Sequence, residues 1–337
     1  MNAPPLLPDE AAGTPATDAL HDAFIGLRDA LSARIVGQSA LVERLLVALL
    51  ADGHLLVEGA PGLAKTTAIR ALAARLEADF ARVQFTPDLL PADLTGTEIW
   101  RPQEGRFEFV PGPIFHPILL ADEINRAPAK VQSALLEAMG ERQVTVGRHT
   151  YALPSLFLVM ATQNPIEQEG TYRLPEAQMD RFMLKDVLDY PDPAEEAEII
   201  RRIDAGVYSP AQKLPAAVSL GAVIEAQGLV RRIYIDPAIV RYIVGIAYVT
   251  RNAAQYLDPR LASLVDFGAS PRASIAFSQA ARALALLNGR DHVIPEDVKA
   301  LAHRILRHRV VLGFDAVVEN VRVETVIDAV LASVQAP

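Results

Sequence analysis

A loop between a predicted strand and a predicted helix is the first feature that could do chemistry. Residues 59–66 read GAPGLAKT, close to the pattern G-x-x-x-x-G-K-[ST], in which backbone N–H groups and a helix N-terminus bind phosphate. In that pattern Lys65 neutralises phosphate charge and the Thr66 hydroxyl is a ligand of Mg²⁺. Ala64 stands where the pattern has glycine, and its methyl group crowds the turn. The loop predicts a nucleotide site, and a glycine-rich turn before a core helix is the alternative.

Two adjacent carboxylates follow a second apolar run. Residues 117–121 predict a buried strand, and Asp122 and Glu123 come directly after it. Because the carboxyl ends of parallel strands meet at one edge of a sheet, these acids are expected near the phosphate loop. There Asp122 would bind Mg²⁺ and Glu123 would polarise the attacking water. The alternative is that two acids simply end a strand at the surface.

The elements that position these residues alternate between strand and helix as far as residue 190. This alternation predicts an α/β core with a parallel sheet covered by helices on both faces. Short β segments around Gln103 and around Gly147 predict two β-hairpin insertions. After Tyr190–Pro193 nearly every segment has helical periodicity. The predicted organisation is a disordered lead-in at 1–19, the core at 20–190 and an all-α lid at 191–337.

Composition excludes several classes of function. The 337 residues are 51% hydrophobic and 22% charged, which is typical of a folded globular chain. Lys and Arg number 32 against 41 Asp and Glu, so the net charge of −9 offers no general attraction for nucleic acid. The absence of cysteine excludes disulfides, cysteine-ligated zinc, iron–sulfur clusters and a thiol nucleophile. No apolar run has the roughly 18 to 20 residues of a transmembrane helix, so we expect no membrane span and a cytoplasmic protein.

A set of longer motifs resembles one known group. The sequence is similar to the AAA+ ATPases of the MoxR family, in the branch with a helix-2 insert and a magnesium-chelatase-type lid, whose phosphate loop has alanine where Ala64 stands. The resemblance covers about residues 35–272. Its motifs are IVGQ at 35–38, TPDLLPADLTG at 86–96, ADEINRAP at 121–128, ATQNP at 161–165 and LPEAQMDRF at 174–182.

The resemblance implies a P-loop AAA+ αβα core, ATP and Mg²⁺ as cofactors, and further site residues. Asn164 corresponds to the polar group that helps Glu123 to position water, and a loop-capping asparagine is the alternative. Gly37 and Gln38 would approach the adenine through backbone groups, unless they form only a turn before a helix. The residues assigned to nucleotide binding are Gly37, Gln38, Gly59, Ala60, Pro61, Gly62, Leu63, Ala64, Lys65, Thr66 and Thr67.

Two arginines are implied to act on the γ-phosphate. Arg181 resembles the arginine finger, which is offered to the site of a neighbouring subunit; a salt bridge to Asp180 or Glu176 is the alternative. Arg272 resembles the sensor-2 arginine, which would contact the γ-phosphate from the lid. A solvated arginine after Pro271 is the alternative. A finger that serves another subunit requires a homo-oligomer, and the resemblance implies a hexameric ring.

The resemblance also implies the biological role. It suggests a chaperone-like motor for maturation, activation, or metal or cofactor loading of client protein complexes, with a von Willebrand factor A-domain partner. The rivals are a nucleic-acid-remodelling motor, a nucleotide-gated scaffold with little hydrolysis, and a magnesium-chelatase-type subunit. The basic cluster at 303–309 favours a solvated helix face over a nucleic-acid patch. Nucleic acid is therefore not an expected partner.

Overall fold

The N-terminal helix begins earlier than the sequence predicts. The structure is a computed structural model that describes residues 15–60, 62–165, 171–172, 174–207 and 217–337, with side chains from residue 19 onward. Helix α1 spans Pro15–Ser32. Residues 15–19 of the predicted lead-in are therefore helical, because proline is well suited to the first turn of a helix, where its missing N–H is not needed. Residues 1–14 of that lead-in lie outside the described residues.

The described chain alternates strands and helices up to β9 and is mainly helical beyond it. The strands are β1 Leu55–Glu58, β2 Phe80–Gln84, β3 Gly96–Arg101, β4 Arg106–Pro111, β5 Ile118–Asp122, β6 Gln143–Val146, β7 His149–Ala152, β8 Leu158–Gln163, β9 Leu184–Val187, β10 Val265–Phe267 and β11 Val311–Leu312. The helices after α1 are α2 Ser39–Leu50, α3 Lys65–Arg75, α4 Pro91–Thr95, α5 Ala129–Glu141, α6 Glu176–Met179, α7 Pro193–Asp204, α8 Leu220–Val230, α9 Pro237–Arg251, α10 Ala253–Tyr256, α11 Pro259–Ser263, α12 Pro271–Leu287, α13 Pro295–Leu306, α14 Phe314–Val318 and α15 Val323–Ser333, with 3-10 turns at Pro113–Phe115 and Ile124–Arg126.

The main sheet is parallel, as predicted. Within the described residues its strand order is β2-β5-β8-β1-β9. Leu55 of β1 pairs in parallel with Met160 of β8. Gly59, Asp122 and Asn164 consequently lie at the same edge, where β1, β5 and β8 end. Strand order thus brings together residues that are distant in sequence.

Both faces of the sheet are covered. Alternate residues of the buried strand β5 enter two different hydrophobic clusters. Ile118 and Leu120 pack into the larger cluster, and Leu119 and Ala121 into the smaller. Since successive strand residues point to opposite faces, the core is a three-layer αβα structure. This confirms the predicted fold class.

The two predicted hairpins are confirmed and pack against each other. Antiparallel pairing joins β3 to β4 and β6 to β7. Phe109 of β4 stacks on Tyr151 of β7, with ring centroids 3.9 Å apart and an interplanar angle of 14°. His149 Nδ1 lies 3.2 Å from Glu98 Oε1 in a second contact between the hairpins. They form one two-hairpin arm rather than two independent insertions.

The lid is helical but contains a small sheet that was not predicted. Strands β10 and β11 pair antiparallel over so few residues that sequence periodicity cannot reveal them. Lid and core share one hydrophobic cluster, in which Leu46 of α2 belongs with Phe277 of α12 and Ile305 of α13. The boundary at 190 and 191 stays a prediction. No helix in the described part of the chain is long and apolar enough to cross a membrane.

The expectation of a solvated face for the basic cluster at 303–309 is wrong for its last residues. The Arg309 side chain is only 2% exposed and donates to Asp180 Oδ1 over 2.6 Å. His308 is also buried, and its Nε2 lies 3.0 Å from the Phe182 carbonyl oxygen. These side chains point into the joint between lid and core, where a buried cation requires a partner.

Candidate active site

The phosphate loop makes its turn with two left-handed residues. Gly62 has φ +88° and Ala64 has φ +55°. Ala64 precedes helix α3, whose first turn receives no hydrogen bond from a capping side chain. The N–H groups at the start of this 11-residue helix are therefore suited to an anion. Alanine adopts at position 64 a conformation that favours glycine, which explains why the general pattern has glycine there.

Lys65 is directed across the loop that precedes it. Its Nζ donates to the Gly59 carbonyl oxygen over 2.7 Å. Burial lowers the pKa of Lys65, and the negative charges of Asp122 and Glu123 act in the opposite direction. A cation that is partly desolvated next to carboxylates interacts strongly with an incoming phosphate group.

The predicted loop, the two acids and Asn164 surround one cavity of about 310 Å³. Of the other predicted loop residues, Gly59 and Ala60 lie buried at the end of β1, and Pro61 lies outside the described residues. Arg82 of β2 also lines the cavity, although the sequence reasoning did not identify it. The predicted residues that line it are Gly62, Leu63, Ala64, Lys65, Thr66, Thr67, Asp122, Glu123 and Asn164.

The Asp122 carboxylate is held by hydrogen bonds on both oxygens. Its Oδ1 accepts from the Thr162 hydroxyl over 2.6 Å. Its Oδ2 accepts from Arg82 Nη2 over 2.7 Å and from Arg82 Nε over 3.1 Å. Thr162 Oγ1 in turn accepts from the backbone N–H of Glu123 over 2.9 Å. Strand β8 thereby orients both acids at the end of β5.

Glu123 has a strained backbone and two side-chain donors. Its φ of +57° is uncommon for a residue with a side chain and turns the chain out of β5. Its Oε2 accepts from Gln84 Nε2 over 2.7 Å and from Arg126 Nη1 over 3.1 Å. Gln84 and Arg82 were missed by the sequence reasoning. Their spacing of two residues on β2 indicates a shared face, but not which strand lies beside it.

The predicted adenine-binding residues lie beside the loop but do not line the phosphate cavity. Gly37 has φ +73°, and buried Gln38 donates from Nε2 to the Asp189 carbonyl oxygen over 3.3 Å. Leu188, the residue before Asp189, packs so close to Gly59 that a Cβ there would lie 3.1 Å from its Cβ. The segment at 188–189 therefore links Gln38 to the first residue of the phosphate loop.

Arg181 and Arg272 line a different cavity, of about 350 Å³. His54, immediately before β1, is also in its wall, so this cavity lies at the edge of the sheet where the strands begin. Arg181 Nη1 donates to the Leu136 carbonyl oxygen over 2.8 Å. Asp180 pairs with Arg309 instead of Arg181. The structure thus groups the two arginines with each other and separates them from the phosphate loop.

Comparison with known proteins identifies the family. The ATPase family associated with various cellular activities (AAA) matches residues 54–184, and the AAA lid domain matches residues 258–330. The chain is 50% identical to Chaperone MoxR1 of Mycobacterium tuberculosis over 90% of its own length and 79% of that protein. The chain belongs to the MoxR family of AAA+ ATPases. It is also 32% identical to Protein MoxR of Paracoccus denitrificans, over 94% of this chain and 97% of that one.

A solved structure agrees with this membership of the MoxR family. A candidate ATPase from Cytophaga hutchinsonii superimposes with a TM-score of 0.88 and 42% identity, covering 96% of this chain and 97% of the other. The resemblance inferred from the motifs is therefore confirmed for both the core and the lid.

The phosphate cavity of this MoxR-family chain suits a magnesium nucleotide. Oxygen donors are what Mg²⁺ prefers, and Thr66 and Asp122 offer a hydroxyl and a carboxylate in the same cavity. Lys65 and the start of α3 offer positive charge to phosphate oxygens. The side chain of Asp122 is only 13% exposed and pairs with the Arg82 guanidinium, so this position already accommodates a cation. The residues therefore fit both ATP and Mg²⁺.

Proposed function

We propose that this chain hydrolyses ATP with Mg²⁺ and that a neighbouring copy in a ring completes each site. The observation that carries the proposal is the distribution of charged groups over the two edges of the sheet. The loop and both acids are at the edge where the strands end, whereas Arg181 and Arg272 are at the edge where they begin.

The residues of the phosphate cavity would divide the chemistry among them. Lys65 and the backbone of the loop would bind the phosphates, and Thr66 and Asp122 would hold Mg²⁺, which would supply positive charge to the phosphoryl oxygens. Glu123 orients the attacking water, and Asn164 assists it from the end of β8.

The two arginines are suited to a partner's nucleotide. From His54 to Gly59 the chain runs about 16 Å along the strand direction, at roughly 3.3 Å per residue, with the sheet between the two cavities. Arg181 and Arg272 therefore face away from their own phosphate loop. A ring, hexameric by family resemblance, would bring the starting edge of one copy against the ending edge of the next.

The work of the ring would be chaperone-like and directed at client proteins. The name of the M. tuberculosis relative supports this class of action. Maturation, activation, or metal or cofactor loading of clients, a von Willebrand factor A-domain partner and a cytoplasmic location are proposals that rest on the family resemblance. Nucleotide-dependent movement of the lid relative to the core would transmit the work.

Mixing two inactive variants tests the shared site. We expect Glu123→Gln and Arg181→Ala each to lower ATP hydrolysis by at least about tenfold, because each removes a group that acts in the transition state. In a random equal mixture, about a quarter of the sites combine an intact Glu123 with an intact neighbouring Arg181, so about that share of activity should return. The readouts are phosphate release and particle size under the same conditions.

The matched control is Arg260→Ala, which removes an exposed arginine of the lid that pairs with Glu319. It should hydrolyse ATP like the parent. Normal hydrolysis by an assembled Arg181→Ala variant would reject the finger. Assembly without any recovery in the mixture would reject the shared site, and turnover insensitive to Glu123→Gln would favour a scaffold.

A further inference from the structure

Arg82 occupies Oδ2, one of the two oxygens of Asp122 that could ligate a metal ion. Both of its donors to this acid, Nε and Nη2, bind the same oxygen, Oδ2. The other oxygen, Oδ1, already accepts from Thr162. A carboxylate oxygen has two lone pairs, so Oδ2 is fully used by Arg82. A cation that approaches Oδ2 must therefore displace the guanidinium.

The charged groups of the cavity explain why Arg82 pairs with Asp122. They also offer its guanidinium a second partner. Asp122 is largely buried, and an unpaired carboxylate in such a position is strongly disfavoured. Phosphate oxygens are the other group that a planar guanidinium binds with two parallel hydrogen bonds. Because Lys65 and the loop line the same cavity as Arg82, bound phosphates would lie within the space that Arg82 faces.

The surroundings of Arg82 allow it to move. It projects from β2, which is at the edge of the sheet, and its side chain is 45% exposed. Within the part of the chain that the structure describes, its remaining side-chain hydrogen bond runs from Nη2 to Gln84 Oε1 over 3.1 Å. A cation that is held by one carboxylate and one amide can change partners without disturbing the core.

We propose that Arg82 exchanges between Asp122 and the bound phosphates: it neutralises Asp122 when no Mg²⁺ is present, and it turns toward the phosphates when Mg²⁺ takes its place. This inference rests on the proposed nucleotide site. Arg82 is a positioning residue for Asp122 in one state and a phosphate ligand in the other. The absence and the presence of Mg²⁺ therefore give the same side chain different partners.

Equilibrium binding of a fluorescent ATP analogue, with EDTA and then with increasing Mg²⁺, tests the exchange without relying on turnover. For Arg82→Ala we expect affinity in EDTA to fall about tenfold or more, because Asp122 is left without its counter-charge and repels the phosphates. At saturating Mg²⁺ the variant should still bind several-fold more weakly than the parent, because the Arg82 contact to the phosphates is missing. Arg82→Lys keeps the charge and should retain affinity in EDTA within a few-fold of the parent.

Arg70→Ala is the control, since Arg70 is an exposed arginine of α3 that does not line the cavity. It removes the same charge and should leave both affinities unchanged. Normal binding by Arg82→Ala in EDTA would show that Arg82 does not neutralise Asp122, and parental affinity at saturating Mg²⁺ would show that Arg82 does not contact the phosphates; either result overturns the exchange. If the parent binds no nucleotide under either condition, the proposed function itself fails.

Discussion

His54 lies fully buried directly before β1 and is fixed by the backbone. The Val159 N–H donates to its Nδ1 over 3.1 Å, and its Nε2 lies 3.4 Å from the Met139 carbonyl oxygen. These contacts require a neutral ring with its proton on Nε2. Burial, together with the positive charge of Arg142, lowers the pKa of His54 to about 3.

This residue should make the fold sensitive to acid. Its folded pKa of about 3 is below the ordinary 6.5, so the unfolded chain binds an extra proton between those values. Stability should therefore fall as the pH is lowered through this window, by about 1.4 kcal/mol per pH unit for one histidine. Glutamine offers a similar donor and acceptor without titrating. His54→Gln should show a shallower slope in urea unfolding at a series of pH values, and an unchanged slope would contradict the assignment.

At the scale of elements, the arm formed by β3, β4, β6 and β7 is fixed at its base by a glycine. Gly96, the first residue of β3, has φ +89° and pairs with Pro111. A Cβ built on it would lie 2.2 Å from the Val110 carbonyl oxygen. Gly105, in the turn of the same hairpin, also has positive φ, +60°, but a Cβ there meets nothing within 4 Å.

Gly96 and Gly105 form a matched pair of positions. Comparing them measures how much a Cβ against the Val110 carbonyl oxygen lowers the free energy of unfolding. Gly105→Ala should cost about 1 kcal/mol, the usual penalty of a left-handed alanine. Gly96→Ala adds a clash with backbone and should cost about 3 kcal/mol or more. The free energy of unfolding in urea measures both. Equal losses of unfolding free energy in the two variants would show that the backbone at the base of the hairpin shifts to accommodate the added Cβ.

At the scale of the whole molecule, one buried ion pair joins the lid to the core. Arg309 follows α13 and pairs with Asp180, which Ser270 at the start of α12 also contacts through its hydroxyl over 2.7 Å. Arg309 donates further to the carbonyl oxygens of Phe182 and Met183. Asp180 is the neighbour of Arg181 in sequence, so this joint also positions the predicted finger.

Removal of this arginine should weaken the whole fold. Arg309→Met leaves a partly buried carboxylate and several carbonyl groups without their donor, and we expect a loss of about 3 to 5 kcal/mol. The control is Arg260→Met, whose arginine is 71% exposed in its pair with Glu319 and should cost about 1 kcal/mol or less. Urea unfolding followed by circular dichroism gives both values. Similar losses of unfolding free energy in the two variants would show that the Arg309–Asp180 pair does not stabilise the contact between lid and core.

Local features of the sequence were sufficient for much of the fold and for one side of the candidate site. The phosphate loop, Asp122 and Glu123 are recognisable because each depends on a short segment and on the strand beside it. The αβα class and both hairpins follow from periodicity and turn residues. Such features are encoded within a few neighbouring residues, so no long-range contact is needed to infer them.

Other features depended on which elements become neighbours in space. Arg82 and Gln84 reach the two acids because β2 lies beside β5, although the hairpin β3–β4 separates them in the chain. Arg309 is buried because the lid docks on the loop before β9. Arg181 and Arg272 meet at the far edge of the sheet for the same reason. Long-range packing sets these positions, and periodicity along the chain does not predict which elements pack together.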